Sequence, residues 1–340
     1  MRFDPQVIMK ILHGSLVRAA LATSLHAKPT RLWATPLGSL GGVSTAALSL
    51  NNLGQVVGTG WITGDIERHA FLWEPTTGVM TDLGTLGGHC DATGINDAGQ
   101  VVGSCAGSGS AFIWTASAGM TALPWIGIAG ASAINASGQV TGSCHGPVTY
   151  QPFLTGPGGT PLVPLPILGG LAGTFGNGVN DFGKVVGYGW SGVIGSPAVV
   201  IDGSRVTPLP TLPGAIDAEA HDINNSSVIV GSSFNALKQS RPVLWRNRSI
   251  IDLGTLGGDG GTALAINNDG VVVGAADAVA FPSSRAFIWT HNKGMRDLNT
   301  LLINPDVLGG TFLINATDIN DHGQIVANTA LGAFLLTPKK

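Results

Sequence analysis

The chain has 340 residues and a formal net charge of −3, with 11% charged residues where an average domain has about 25%. No Lys/Arg stripe runs along it, so it lacks the electrostatic footprint that nucleic-acid binding requires, and no nucleic-acid partner is expected. No uninterrupted apolar run reaches the roughly 18 residues of a spanning helix, so no membrane span is expected.

Residues 1–30 carry none of the periodicity that follows. Read from Met9, the segment has a basic start, an apolar stretch Ile11–Leu25 broken by Arg18, and small residues near Ala27. That is the outline of a poor signal peptide, which predicts a secreted or cell-surface protein. An unstructured leader or a surface helix is the other reading, and it leaves a cytoplasmic location open.

From residue 31 one short pattern recurs seven times: an aliphatic residue, Asn, two turn residues, Gly, then an aliphatic pair and a small residue. The anchoring asparagines are Asn51, Asn96, Asn135, Asn180, Asn224, Asn267 and Asn320, spaced by 45, 39, 45, 44, 43 and 53 residues. Asn opens a type I turn and Gly supplies the left-handed residue, so each copy reads as strand a, tight turn, strand b. Six copies carry Gly there, and the fifth has Ser227. A variable loop leads to strand c, as in Ala70–Trp73, Ala111–Trp114, Pro242–Trp245 and Ala286–Trp289, and then to a short strand d such as Thr81–Leu83.

Four short antiparallel strands per period predict a propeller blade, and seven copies predict an all-β, seven-bladed β-propeller over residues 31–340. Only Ala or Gly stands four residues before each anchoring Asn, as expected where innermost strands crowd together. The last copy ends on a strand c, Ala333–Pro338, while an extra strand, Arg31–Leu37, precedes the first. Pairing the two would close the ring and leave no edge there, with blade seven combining 32–37 and 318–337. A monomer is expected.

The Ile-Asn-x-x-Gly-x-Val-Val-Gly core, the His69-Ala70-Phe71-Leu72-Trp73 strand and the Leu-Gly-x-Leu-Gly-Gly links resemble the HAF repeat family of bacterial proteins over residues 31–340. The resemblance implies an extracellular repeat protein. It brings no catalytic or ligand-binding residues with it, and only the first copy keeps the His.

No P-loop, dinucleotide fingerprint, nucleophile elbow or His-Glu-x-x-His is present. The turns Asn96–Gly99 and Asn320–Gly323 lack calcium-loop spacing and read as plain turns. Pairing outward from the second turn sets Asp91 opposite Cys105 and puts Cys90 one residue off register, so buried free thiols are the default for Cys90, Cys105 and Cys144; a slip at a bulge would permit a disulfide. Trp73, Trp114, Trp245 and Trp289 recur with the repeat and read as packing.

Non-repeating aromatic and charged residues gather in the b-to-c and d-to-a loops, which share one face: Trp61, Arg68, Trp125, His145, Tyr150, Trp190 and Arg285, with Asp65 and Glu67. They predict a non-enzymatic binding module with a protein or glycan ligand; the alternative is a hydrolase or lyase acting on a glycan or small molecule in the central funnel. A second set lies on strand a: Asp217, Glu219 and His221 alternate in repeat five, and His89 and Asp91 take the first two places in repeat two. Facing the axis, they read as polar groups in a wet channel. A divalent metal on Asp217, Glu219 and His221, or an acid–base pair, is the sharper reading, whereas no cofactor is the expectation.

Overall fold

The structure is a computed structural model that describes residues 31–124, 129–145, 149–191, 195–279 and 284–339. Seven antiparallel sheets of four strands each form a β-propeller. The innermost strands, a, are Gly41–Leu50, Cys90–Ile95, Ala129–Ile134, Gly173–Val179, Ala218–Ile223, Gly257–Ile266 and Asn315–Ile319. Residues 1–30 and Trp125 lie outside the described residues.

The ring closes as the repeat predicts. Leu32–Pro36 pairs antiparallel with Ala333–Pro338, from Leu32 opposite Pro338 to Pro36 opposite Phe334. It becomes strand d of blade seven, whose order is otherwise that of the other six. The longest repeat spacing has a use here. Two 3₁₀ turns, Leu298–Leu301 and Pro305–Leu308, bring Asn304 against the outer side of this strand. Asn304 accepts a hydrogen bond from the Ala34 N–H and donates one to the Ala34 carbonyl, both at 2.9 Å, so a side-chain amide occupies part of the edge.

The core lies between blades rather than on the axis. Val57, Ala70 and Leu72 of blade one pack on Ala92, Ile95, Val101 and Phe112 of blade two. The small residues four before each Asn point into these seams; Ala47, Ala92, Ala220, Ala263 and Ala316 are fully buried. The tight turns form as expected, with Gly54, Gly99, Gly138, Gly183, Gly270 and Gly323 at positive φ and Ser227 taking the same conformation at φ 57°.

Strand a is not regular. In every blade the register shifts between the residues four and two before the anchoring Asn, leaving Leu48, Thr93, Ser132, Asn177, His221, Leu264 or Thr317 as a bulge. This slip corrects the expectation for the cysteines. It sets Cys90 directly opposite Cys105, and the two form a disulfide. In blade three the same register places Ala129 opposite Cys144, so Cys144 is a buried free thiol, held by burial at a pKa of about 11.

The anchoring asparagines are more than turn residues. Each Nδ2 donates to the backbone carbonyl of the anchoring Asn in the next blade, at 3.0–3.2 Å, from Asn51 round to Asn320 and back to Asn51. Each Oδ1 accepts the N–H four residues on in its own turn. All seven side chains are buried. One residue type thus satisfies its turn and fastens it to the neighbouring blade.

Candidate functional site

The bulges decide what the central channel presents. Residues three and two before each Asn both line it, among them His221, Asp222, Thr317 and Asp318, around a cavity of about 270 Å³. Asp222 and Asp318 are half-buried in the channel wall and reach across to neighbouring blades. Asp222 accepts the N–H of Ile266 at 2.9 Å; Asp318 accepts the Leu50 N–H at 3.0 Å and the Ser49 hydroxyl at 2.7 Å. Burial pushes Asp222 up to about 7 against these hydrogen bonds, and the Asp318 carboxyl adds to the rise. Burial likewise raises Asp318.

Toward the loop face the channel opens into a cavity of about 410 Å³ over blades two to five. One wall is aromatic. Phe175 and Tyr188, a cross-strand pair, stack at 4.9 Å with 15° between planes. Tyr150 leans on Phe175 at 5.1 Å, and His145 meets Tyr150 edge-on at 4.9 Å. Thr93, Ser104, Ser132 and Ser143 also line the cavity. Among the described residues of the lining, Glu219 is the single acidic one and no Lys or Arg joins it. Asn177 donates to Glu219 Oε1 at 3.4 Å, and His221 Nδ1 lies 3.9 Å from the same oxygen. Burial lowers the His221 pKa, partly offset by the Glu219 carboxylate, so the imidazole is neutral at pH 7 and leaves the carboxylate uncompensated. Tyr188 is raised by burial and then by that carboxylate, so its hydroxyl stays protonated.

The residues singled out in the sequence do not form one site. His145 and Tyr150 belong to the aromatic shelf, and Glu219 and His221 to the channel. Asp217 precedes the strand and accepts the Ser196 N–H at 2.7 Å; among the described residues no group of three His, Cys, Asp or Glu side chains is arranged to hold a metal ion. Trp61, Arg68, His89 and Asp91 form a separate cluster where blades one and two meet. There Arg68 lies 5.9 Å over the Trp61 ring and 3.8 Å from Asp91, while His89 accepts the Arg68 N–H. Trp190 ends its strand at the loop face, 51% exposed.

Arg285 was expected at the ligand face, but it is buried, with its guanidinium 3.9 Å over Phe312. It occupies the strand-c place that holds His69 in blade one and Arg241 in blade five. Those two pair with Asp82 and Asp252 on strand d, so this column joins outer strands. Phe175, Tyr188 and Asn177 were missed in the sequence. Two of them carried a signal, since Phe175 and Tyr188 put aromatic rings where the other copies hold small, amide or acidic residues; the Asn177 place holds Leu, Thr, Ser or His elsewhere and marks nothing.

No protein-family model and no curated protein matches the chain. Solved structures do. The chain is similar to the β-propeller domain of the Trilobed protease from Pyrococcus furiosus, with a TM-score of 0.59 at 11% identity, covering 87% of this chain and 94% of that one. It is similar to virginiamycin B lyase from Staphylococcus aureus, with a TM-score of 0.58 at 10% identity over 90% and 99% of the two chains. It is also similar to YCF48 bound to D1 peptide, with a TM-score of 0.53 at 11% identity over 94% and 100%. At such identities the likeness shows the fold alone.

Proposed function

We propose that the protein is a non-enzymatic binding module that takes a glycan or protein ligand on its loop face. One observation carries this reading. Of the sixteen large hydrophobic residues exposed among the described residues, ten lie on that face, including Ile66, Trp190, Ile216, Leu237, Val279 and Leu331. The turn face has three, Leu53, Val79 and Phe182. An apolar rim of this kind around an open funnel is what a ligand surface needs. The disulfide supports a secreted or cell-surface location, because such bonds persist in oxidising compartments.

The purified protein on a broad glycan array tests the proposal, with Trp190→Ser and Phe182→Ser as paired variants. Binding that Trp190→Ser weakens and Phe182→Ser leaves alone is the expected result. Binding lost only through Phe182→Ser would place the ligand on the wrong face and sink the reading.

A second reading, a hydrolase or lyase, is favoured by Glu219 and His221, a carboxylate and a neutral imidazole 3.9 Å apart above the channel. One of the similar propellers is a lyase and another is a protease domain. Turnover of an array ligand that Glu219→Gln and His221→Ala both abolish would establish it.

A further inference from the structure

We propose that the funnel recognises a glycan through an amino sugar whose amine is free, the ammonium seated on Glu219 and the sugar ring lying against the aromatic shelf and the lining hydroxyls. The inference rests on the binding-module reading and names its ligand class.

Three features of the cavity converge on this chemistry. The first is charge. Among the described residues that line the cavity Glu219 is the single acidic side chain and there is no Lys or Arg, and the basic group beside it is the neutral imidazole of His221, 3.9 Å away. The Asn177 amide, at 3.4 Å, is a weak partner. A carboxylate left with so little compensation in a concave, partly desolvated site favours a cationic ligand group. Deeper in the channel Asp222 and Asp318 supply no positive charge to oppose this.

The second feature is the shelf. Tyr150, Phe175 and Tyr188 hold one another at 4.9–5.1 Å, so the wall is set before any ligand arrives. Tyr150 is 38% exposed and presents ring surface to the cavity mouth. Such a surface takes the C–H face of a pyranose. The Tyr188 hydroxyl, beside Glu219, can accept from the same ammonium.

The third feature is the hydroxyl lining. Thr93, Ser104, Ser132 and Ser143 line the cavity from two blades; the Thr93 hydroxyl donates to the Ala131 carbonyl and the Ser143 hydroxyl accepts the Gly176 N–H, so Thr93 keeps acceptor and Ser143 donor capacity, which suits the hydroxyls of a sugar rather than a bare alkylammonium. An acetylated amine would replace the charge by a bulkier neutral amide and leave Glu219 unpaired.

The test uses calorimetric titration of the full chain with a trimer of glucosamine, its N-acetylated form, a glucose trimer and spermidine. The glucosamine trimer is expected to bind at least about tenfold more tightly than either neutral trimer, since a lost charged hydrogen bond is worth about that much. Glu219→Gln, of the same shape, should remove that advantage with its thermal midpoint unchanged. Tyr150→Ala should weaken all three trimers. Neutral trimers binding as tightly as the amine form, or Glu219→Gln without effect on it, overturns the inference while the binding-module reading stands. Spermidine binding as tightly as the glucosamine trimer overturns the sugar assignment. If none of the four binds, the inference fails, and the glycan array then decides the broader reading separately.

Discussion

Asn320 and Asn51 stand 269 positions apart, and the Nδ2 of Asn320 donates to the Asn51 carbonyl at 3.0 Å. That bond completes a circle of seven equivalent ones, so the last repeat is joined to the first by the same contact that joins every other neighbouring pair. Ring closure therefore has two parts: backbone pairing of Leu32–Pro36 with Ala333–Pro338 at the rim, and a side-chain circle at the axis.

Replacing one member of the circle should be costly. Asn320→Ala removes the bond to blade one and strips the His322 and Gln324 N–H groups of their acceptor. A loss of about 2–3 kcal/mol is expected from chemical denaturation, the cost of leaving buried polar groups unpaired. Asn268→Ala is the comparison. The Asn268 side chain donates to Asp321 Oδ2 and accepts the Asn225 N–H in an exposed belt, where water can substitute for both, and its loss should cost less than about 1 kcal/mol. Equal losses would mean the circle adds nothing beyond surface hydrogen bonding.

The cysteines give a count that can be measured directly. Of the three, Cys144 alone is free. Protein unfolded in denaturant without reductant should titrate one thiol, and three after reduction. The disulfide closes a loop with a sequence separation of 15, so removing it should cost about 3 kcal/mol by the loop-entropy model. Three thiols before reduction would rule the bond out.

The half-buried channel carboxylates set an unusual pH dependence. Asp222 is raised to about 7, and Asp318 is raised as well. In the unfolded chain such carboxyls titrate near about 4. Between these values the native state holds protons that the unfolded state releases, so the stability this gives is present below the unfolded pKa and falls as pH rises toward 7. Each group contributes at most about 1.4 kcal/mol per pH unit. Asp222→Asn should flatten the profile between pH 4 and 7 relative to the parent. Parallel profiles for the two proteins would show that Asp222 titrates normally.

Closure at the rim predicts the outcome of truncation. A chain lacking residues 1–38 loses strand d of blade seven and exposes the Ala333–Pro338 edge, with Leu336 and Ala34 no longer covering each other. It should aggregate. A chain lacking residues 1–27 keeps the pairing and should show the parent's melting transition. Normal folding of the shorter chain would mean the pairing is dispensable.

Much of the fold was legible in the repeat. A fixed spacing of Asn-x-x-Gly states where each innermost hairpin turns, and local chemistry alone forces that turn, because Asn and Gly stabilise it without help from distant residues. The unmatched strands at the two ends announced closure for a similarly simple reason, since pairing them covers an edge that would otherwise stay open. The strands around Trp73 and Trp245 were readable as buried from their composition, and both side chains are.

The site was much less legible. A bulge is a property of strand pairing, and no residue type marks it: Leu48, Thr93, Asn177 and His221 all occupy the same bulged place. That one-residue slip joined Cys90 to Cys105 and turned Asp222 and Asp318 into the channel beside His221. The loop candidates are spread over separate places for a related reason. Sequence places Arg285 and Tyr150 at the same end of their blades, but packing buries one under Phe312 and leaves the other at the funnel mouth. The sequence alone determined the number of blades, the turn at the heart of each and the strand that closes the ring, because these follow from short-range preferences repeated seven times. Only the tertiary structure decided which side chains meet at the axis, because that depends on registers between strands and on neighbouring blades that no local pattern encodes.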